Sequence, residues 1–197
     1  MKKLILLPVM ALFLSACSLF PSNSDQNISL SVTPTTTMDI PTNPTLSPSP
    51  KTGDTVVALS TKDGQIVIKL FSEDTPNTIK TFLAKVDSGF YNGLTFHRVI
   101  EGFMAQGGDP TGTGTGGGSQ KSELNNLPFV RGSLGLARTP ATKEISNDSQ
   151  FFICFNDTGC AHLTGDYVNF GQVLSGFDIL DKINQGDKII EITTTTK

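Results

Sequence analysis

The phenylalanine residues of this chain lie almost entirely in its second part. Of 13 Phe, only Phe13 and Phe20 precede residue 70. A buried core is built from large apolar side chains, so a core is available only to the C-terminal residues. A segment of roughly 140 residues buries on the order of 68% of its unfolded surface, which is enough for one compact domain. We therefore expect one folded domain over residues 53–195.

The N-terminal residues have the pattern of a secretory signal. Two lysines precede the apolar run Leu4–Leu14, which is too short to span roughly 30 Å of hydrocarbon as a helix. The next residues, Ser15-Ala16-Cys17, complete a motif that resembles the bacterial lipobox, where the signal is removed before an acylated cysteine. We predict a lipoprotein signal peptide over residues 1–16 and lipidation of Cys17. The alternative is an ordinary cleaved signal with an incidental cysteine.

Residues 17–52 are rich in Ser, Thr, Pro and Asn and contain few large apolar groups. Such a segment buries too little surface to offset the entropy of ordering, so we predict a disordered tether. Its prolines favour extended conformations, which makes it a semi-rigid spacer. Together with Cys17 it predicts an extracytoplasmic domain that is lipid-anchored to a bacterial membrane.

The charge balance argues against a nucleic-acid partner. The formal net charge is −3, and without the two lysines of the predicted signal 13 basic and 18 acidic side chains remain, a net charge of −5. Binding to phosphates needs clustered Lys and Arg, which the sequence lacks. The chain has three Cys and two His without a C-x-x-C pair, so we expect no metal site either.

The domain opens with patterns of two strands and a helix. Val56–Thr61 and Gln65–Leu70 are β-rich runs that flank Asp63-Gly64, a dipeptide typical of hairpin turns. Thr75 followed by Pro76 is typical of a helix start, and apolar residues recur at helical spacing until Gly89. This spacing predicts that Ile79, Phe82, Leu83 and Val86 pack on the sheet.

Further short strands follow. Leu94–Ile100 predicts a strand with Phe96, Arg98 and Ile100 on one face and His97 and Val99 on the other. A second short helix is predicted over Phe177–Asn184. Many short strands with Gly-rich turns favour a mainly antiparallel, closed sheet with helices over its openings. The remaining predicted strands are 103–106, 132–137, 150–155, 169–173 and 189–193.

Two common kinds of catalytic site are disfavoured. The Gly-rich run Gly107–Gly118 lacks the Gly-Lys-Ser/Thr ending of a phosphate loop, which favours a flexible loop beside a site. A Ser/His/Asp hydrolase needs a His base, and we interpret His97 as a buried, hydrogen-bonded structural residue. The sequence also has no G-x-S-x-G motif.

The run from Phe96 to Asp109, FHRVIEGFMAQGGD, places Arg98 on an apolar strand next to Phe, Met and Gln. Without further signals, such an Arg is typically not functional: its methylene groups cover apolar surface while its guanidinium reaches water. The run nevertheless closely resembles the signature of the cyclophilin family of prolyl isomerases. Segments 132–138, 149–153 and 169–173 are similar to further motifs of that family, in the expected order.

The resemblance covers residues 54–193 and implies a mainly β fold. The expected architecture is a closed eight-stranded antiparallel barrel capped by two α-helices, with the site in a groove on its outer surface. It implies a monomeric peptidyl-prolyl cis-trans isomerase that needs no cofactor and acts on proline-containing segments of exported proteins. The alternative is a chaperone-like or surface-interaction lipoprotein that binds proline peptides with little turnover.

The resemblance also assigns roles to individual residues. Arg98 matches the catalytic arginine, and Gln106 and Gln150 match groups that hold the substrate backbone. Ala137 and Arg138 match a stretch that pairs with the peptide, Arg138 standing where Asn is frequent, and Gly114 and Thr115 lie in the rim loop. His162 stands where the family often has Trp, and Tyr167 where it often has His. The walls of the proline pocket are matched by Phe103, Met104, Phe152 and Leu163.

Cys154 and Cys160 admit two interpretations. A compartment outside the cytoplasmic membrane can be oxidising, which allows a disulfide. Cys154 lies in an apolar strand, however, where free Cys behaves as a small hydrophobic side chain. We expect free thiols, with the disulfide as the alternative.

Overall fold

A computed structural model describes residues 54–195. The predicted signal peptide over residues 1–16, the predicted lipidation of Cys17 and the predicted tether over residues 17–52 all lie outside the described residues. Within residues 54–195, no helix has both the length and the apolar character needed to cross a membrane.

The described chain consists mainly of short strands, with one long helix. The strands are β1 Thr55–Thr61, β2 Gly64–Leu70, β3 Arg98–Ile100, β4 Met104–Gly107, β5 Ser119–Lys121, β6 Ser133–Leu136, β7 Ile145–Asn147, β8 Phe151–Cys154, β9 Asn169–Ser175 and β10 Glu191–Thr195. The helices are α1 Pro76–Asp87, α2 Asp157–Cys160 and α3 Phe177–Leu180, and Ala161–Leu163 forms a 3-10 helix.

Eight strands form one antiparallel sheet in the order β10-β1-β2-β9-β6-β8-β4-β3, and β5 pairs with β7 in a separate ribbon. The predicted eight-stranded antiparallel architecture is therefore confirmed, but its complete closure is wrong. The edge strands β3 and β10 do not pair with each other. Instead, a single bridge between Thr95 and Lys188, with backbone bonds from Phe96 to Asp187 and from Ile189 to Leu94, spans the gap.

The hairpin and the helix form where their sequence patterns predict them. Gly64 has a φ of +138° at the turn between β1 and β2, a conformation that favours glycine. Helix α1 buries Ile79, Phe82 and Val86, while Leu83 is partly buried against the same core. The carboxylate of Glu123 accepts bonds from the backbone N–H of Asn77 and of Thr78, so a distant loop satisfies the first turn of α1.

The sheet separates two apolar clusters. The larger one fills the barrel interior, and the smaller one, on the outer face, comprises Met104, Phe129, Phe152, Cys154, Cys160 and Leu163.

The prediction of which side chains share a face of the strand at Arg98 is partly wrong. Phe96 is fully buried in the interior cluster and Val99 packs against the same cluster, so these two residues share a side. The reason is that residues 95–97 bond to the chain near Asp187 and do not continue β3.

Two predicted features are shorter than expected, and two strands were not foreseen. The second helix ends at Leu180 rather than Asn184, so α1 is the one helix of more than a single turn in the described residues. Strand β3 covers only the last three residues of the predicted 94–100. Strands β5 and β7 have no counterpart among the predictions.

Candidate active site

Strand register places the central residues of the site in one row on the outer face. Arg98 of β3 pairs with Gln106 of β4, Gln106 pairs with Phe152 of β8, and Phe152 pairs with Gly135 of β6. Residues that pair directly across antiparallel strands point to the same face. The row therefore carries a cation, an amide, an aromatic ring and a position without a side chain.

A pocket of about 260 Å³ opens above this row. The ring of Phe152 lies 5.6 Å from Phe129, centroid to centroid, in a stacked arrangement, and 5.8 Å from Tyr167 in an edge-on one. The floor is therefore apolar and mostly buried. Ten residues that the resemblance assigns to the site line this pocket: Arg98, Phe103, Met104, Gln106, Ala137, Arg138, Phe152, His162, Leu163 and Tyr167.

The guanidinium of Arg98 is held by an amide rather than by a carboxylate. Its Nη1 atom donates to Oε1 of Gln106 at 3.2 Å and lies 4.0 Å from Sδ of Met104. The residue is exposed and makes no ion pair with any carboxylate among residues 54–195. Its positive charge therefore remains available to a bound group.

Gln106 and Gln150 connect Arg98 to the glycine-rich loop. Nε2 of Gln106 donates to Oε1 of Gln150 at 3.0 Å. Nε2 of Gln150 in turn donates to the backbone oxygens of Gly114 at 3.2 Å and Gly116 at 2.7 Å. Gln150 is buried and supports Gln106. Of the residues that the resemblance assigns, Gln150, Gly114 and Thr115 do not line the apolar pocket.

The loop itself is organised by Asp109, which is buried. Its carboxylate accepts bonds from the backbone N–H of Thr111 at 2.8 Å and from that of Gly114. Burial alone would raise the pKa of Asp109, but the bonds from Thr111, Gly114 and Gly116 outweigh it and lower the pKa below its ordinary value. An ionised Asp109 therefore fixes the carbonyls that hold Gln150.

Comparison with known proteins gives the same assignment as the geometry. Residues 56–196 match the model of the family described as cyclophilin type peptidyl-prolyl cis-trans isomerase/CLD. The chain belongs to the cyclophilin family. The prediction of an isomerase of this type is thereby confirmed. The pocket lined by Arg98 and Phe152 is called the cyclophilin pocket below, and its role in binding the substrate stays a prediction of the resemblance.

Individual relatives support this assignment. The chain is 44% identical over 137 residues to a peptidyl-prolyl cis-trans isomerase of Helicobacter pylori, covering 66% of this chain and 81% of the relative. It is 40% identical over 146 residues to one of Synechococcus elongatus, covering 72% and 97%. The crystal structure of a cyclophilin type isomerase of Cryptosporidium parvum is 34% identical, with a TM-score of 0.68 over 73% of this chain and 99% of that chain.

A covalent link lies directly beneath the cyclophilin pocket. Cys154 of β8 and Cys160 at the end of α2 form a disulfide, so the expectation of free thiols is wrong. The apolar strand buries Cys154 as expected. Asn156 caps α2 by accepting a hydrogen bond from the N–H of Gly159, and the chain turns back there, so Cys160 comes within bonding distance of Cys154. The disulfide thus joins β8 to the segment that carries His162 and Leu163.

A second pocket of about 290 Å³ adjoins the first and shares Gln106, Ala137 and Arg138 with it. Gly114 and Thr115 line it, so the rim loop borders the second pocket. The sequence reasoning did not identify the other side of this pocket, which is formed by Thr139, Ile145, Ser146 and Asn147. Phe129, which stacks beneath Phe152, was missed as well.

His97 differs from its expected role. It is half-buried, and neither of its ring nitrogens has a hydrogen-bond partner among residues 54–195. Burial lowers the pKa of His97 from its ordinary value. The charge of Arg98 lowers this pKa further, and the charge of Asp109 partly offsets the decrease. A neutral ring packed beside Gly114 results, and the hydrogen bonds expected of a structural His are absent from the described residues.

A larger cavity of about 580 Å³ lies elsewhere and contains Arg131. That guanidinium is already occupied, because it donates to the carboxylate of Asp181 at 2.9 Å and to the backbone oxygen of Phe155 at 2.8 Å. The cavity therefore lacks the combination of a free cation and an apolar floor that distinguishes the cyclophilin pocket.

Proposed function

We propose that this cyclophilin accelerates the rotation of X-Pro bonds in exported proteins, held at the cell envelope by a lipid on Cys17. The observation that carries the proposal is the position of Arg98. Its guanidinium stands at the edge of an apolar pocket, hydrogen-bonded to Gln106 and free of any ion pair with a described carboxylate.

The chemistry follows from the electronic structure of the amide bond. Resonance keeps an X-Pro bond planar, with a rotation barrier of about 18–20 kcal/mol and interconversion over tens of seconds or more. At the twisted transition state the prolyl nitrogen regains a lone pair. A donor directed at that nitrogen binds the twisted state better than either planar state, and differential binding of this kind accelerates the reaction.

We assign the donor role to Arg98 and the gripping of the proline ring to the pocket walls. Phe103, Met104, Phe152 and Leu163 supply apolar surface, with Phe152 and Leu163 each about 5% exposed. Gln106 holds the carbonyl side of the bond, while Ala137 and Arg138 pair with the peptide backbone. Tyr167 and His162 complete the wall, where a Tyr ring still offers apolar surface together with a hydroxyl.

Lowering the barrier by about 7 kcal/mol would accelerate rotation on the order of 10⁵-fold. No covalent bond breaks, so the reaction requires no general acid or base. This suits a site whose permanently charged donor is an arginine.

Two observations support a location outside the cytoplasm. The first is the lipobox-like motif at Cys17, followed by the Ser/Thr/Pro-rich residues to 52. The second is the disulfide between Cys154 and Cys160, because disulfides persist mainly in oxidising compartments. A tethered isomerase at the envelope would meet exported chains before their prolines have reached their native isomers.

The test uses the full chain and its Cys17→Ser variant, both expressed in a bacterial host. We expect the parent in the membrane fraction, with a mass increase from acylation, and the variant released from it. Both should accelerate the isomerisation of an X-Pro peptide and the proline-limited refolding of an exported protein. An unlipidated parent in the soluble fraction would contradict the anchor. Proline-peptide binding without rate enhancement would favour the binding-only alternative.

A further inference from the structure

The two adjoining pockets meet at Arg138. This residue lines both of them, and among the residues around these pockets the charged side chains are Arg98 and Arg138, with no carboxylate. The chain as a whole is acidic, with a formal charge of −3. The peptide groove is thus a positive region on a negatively charged protein.

The guanidinium of Arg138 is held in place rather than left mobile. Its Cζ atom lies 4.4 Å from the ring centroid of Tyr167, which is a cation–π contact. Its Nε atom donates to the backbone oxygen of Asp166 at 3.0 Å, and Nη1 donates to that of Thr139 at 3.0 Å. These partners are neutral groups, so they fix the position of the cation without cancelling its charge.

The neighbouring carboxylates are engaged elsewhere. Asp166 pairs through its carboxylate with Lys143 at 3.1 Å, and that of Glu144 accepts a bond from the hydroxyl of Thr142. Nη2 of Arg138 makes no hydrogen bond to any residue among 54–195. A pre-positioned guanidinium with a free donor edge is the arrangement that binds a carboxylate in a fixed geometry.

We propose that Arg138 makes this cyclophilin prefer X-Pro segments that carry an aspartate or glutamate within two residues of the proline. The preference rests on the proposed isomerase function of the same pocket. With the proline ring in the apolar pocket, an adjacent peptide side chain passes over the boundary where Arg138 stands. A carboxylate there gains a charge-assisted bond, and a lysine meets two guanidinium groups of like charge.

The test measures kcat/KM of the full chain for matched X-Pro peptides. Glu, Gln or Lys is placed in turn at each of four positions, the two before the proline and the two after it. We expect Glu to exceed Gln by about three- to tenfold at one or more positions, as one partly exposed charge-assisted bond allows. Lys should fall below Gln at the same positions. The advantage of Glu should shrink as salt is raised, because exposed charges are screened.

The variants separate a specificity role from a structural one, because the readout is the ratio of Glu to Gln rates within each protein. Arg138→Gln should lose the preference, Arg138→Lys should retain part of it, and Lys80→Gln should keep it, since Lys80 lies on α1 and lines neither pocket. Equal rates for Glu and Gln in the parent, or an undiminished preference in Arg138→Gln, would overturn the inference. Failure to accelerate even the Gln peptides would contradict the proposed function itself.

Discussion

Arg98 receives its orientation from a chain of side-chain amides. Gln106 accepts from Arg98 and donates to Gln150 with the two ends of one amide, which fixes the amide as well as the guanidinium. The signature FHRVIEGFMAQGGD predicts Arg98, Phe103, Met104 and Gln106, and the later motifs of the family predict the other residue types of the site. The row Arg98-Gln106-Phe152-Gly135 could not be predicted, because it depends on strand pairings between residues up to 46 positions apart.

Gly135 gives a test of how the pocket wall is positioned. A Cβ atom at this residue would overlap the rings of Phe152 and Phe129. We expect Gly135→Ala to lower kcat/KM for X-Pro peptides, mainly through a higher KM, because Phe152 must move into the pocket. Overpacking of this kind costs about 1–3 kcal/mol of the free energy of unfolding.

The measurements for Gly135→Ala are peptide kinetics and urea unfolding, with Gly93→Ala as the matched control. No atom lies within 4 Å of a Cβ added at Gly93, so this control has no clash. Gly93 has a positive φ, which Gly135 lacks, so a loss of stability in the control reports backbone strain and the comparison of the two variants is made on KM. Wild-type KM in Gly135→Ala would argue against Phe152 as a wall of the proline site.

Element boundaries were predictable where a pattern was long enough. The hairpin β1–β2 and helix α1 each have seven or more residues with regular apolar spacing. Strands β5 and β7 have three residues each, Ser-Gln-Lys and Ile-Ser-Asn, and alternation cannot be recognised over such a length. One side of the second pocket was missed for this reason, since β7 forms that wall.

The glycine-rich loop should respond to acid through Asp109. Its pKa is lowered from an ordinary value of 3.8, so its ionised form stabilises the fold above that value, and this stabilisation is lost as the pH falls towards the lowered pKa. We expect Asp109→Asn to reduce the free energy of unfolding by about 1–3 kcal/mol at neutral pH. Because the loop holds Gln150, the variant should also have a lower kcat/KM.

Urea unfolding of parent and Asp109→Asn across a pH series provides the measurement. The difference between the two proteins should be constant from pH 8 to about pH 5 and should shrink below about pH 4. A difference that stays constant in strong acid, or grows there, would show that the carboxylate does not stabilise the loop.

The disulfide gives a prediction for the segment that carries Leu163. It closes a short loop between β8 and α2, with a sequence separation of 6. Replacing both Cys154 and Cys160 by Ala should lower the free energy of unfolding by about 2 kcal/mol, following the loop-entropy estimate. KM should rise as well, because the wall formed by His162 and Leu163 loses its covalent link to β8.

A reductant provides the matched control for the double variant. It should lower the stability and raise the KM of the parent while leaving the variant unchanged. Equal KM in parent and variant would mean that hydrogen bonding of α2, through Asn156, holds the wall without the disulfide.

At the scale of the whole molecule, the sequence predicted the architecture but not its closure. Composition and strand patterns favoured a mainly β, antiparallel barrel, and the eight-stranded sheet agrees. Closure depends on the chain near Asp187, whose irregular bonds to Phe96 occupy the gap between the edge strands. Such bonds follow no local periodicity, and they also turn Phe96 inward.

The interior cluster and the peptide groove lie on opposite faces of the sheet. The interior cluster holds the sheet together, while the outer cluster under Phe152 forms the floor of the peptide groove. Because the groove lies on the outer face, a change at Arg98 removes no residue from the interior. The site can therefore be tested without unfolding the domain.

The decisive measurement is the rate of X-Pro isomerisation by the full chain and by its Arg98→Ala variant, with Arg98→Lys as an intermediate and urea unfolding as a check on the fold. Loss of one donor to a transition state typically lowers turnover about 10²–10³-fold. We predict a loss of this size in kcat/KM for Arg98→Ala, with the free energy of unfolding nearly unchanged. Equal activity in Arg98→Ala and the parent would remove Arg98 from the mechanism and contradict the account.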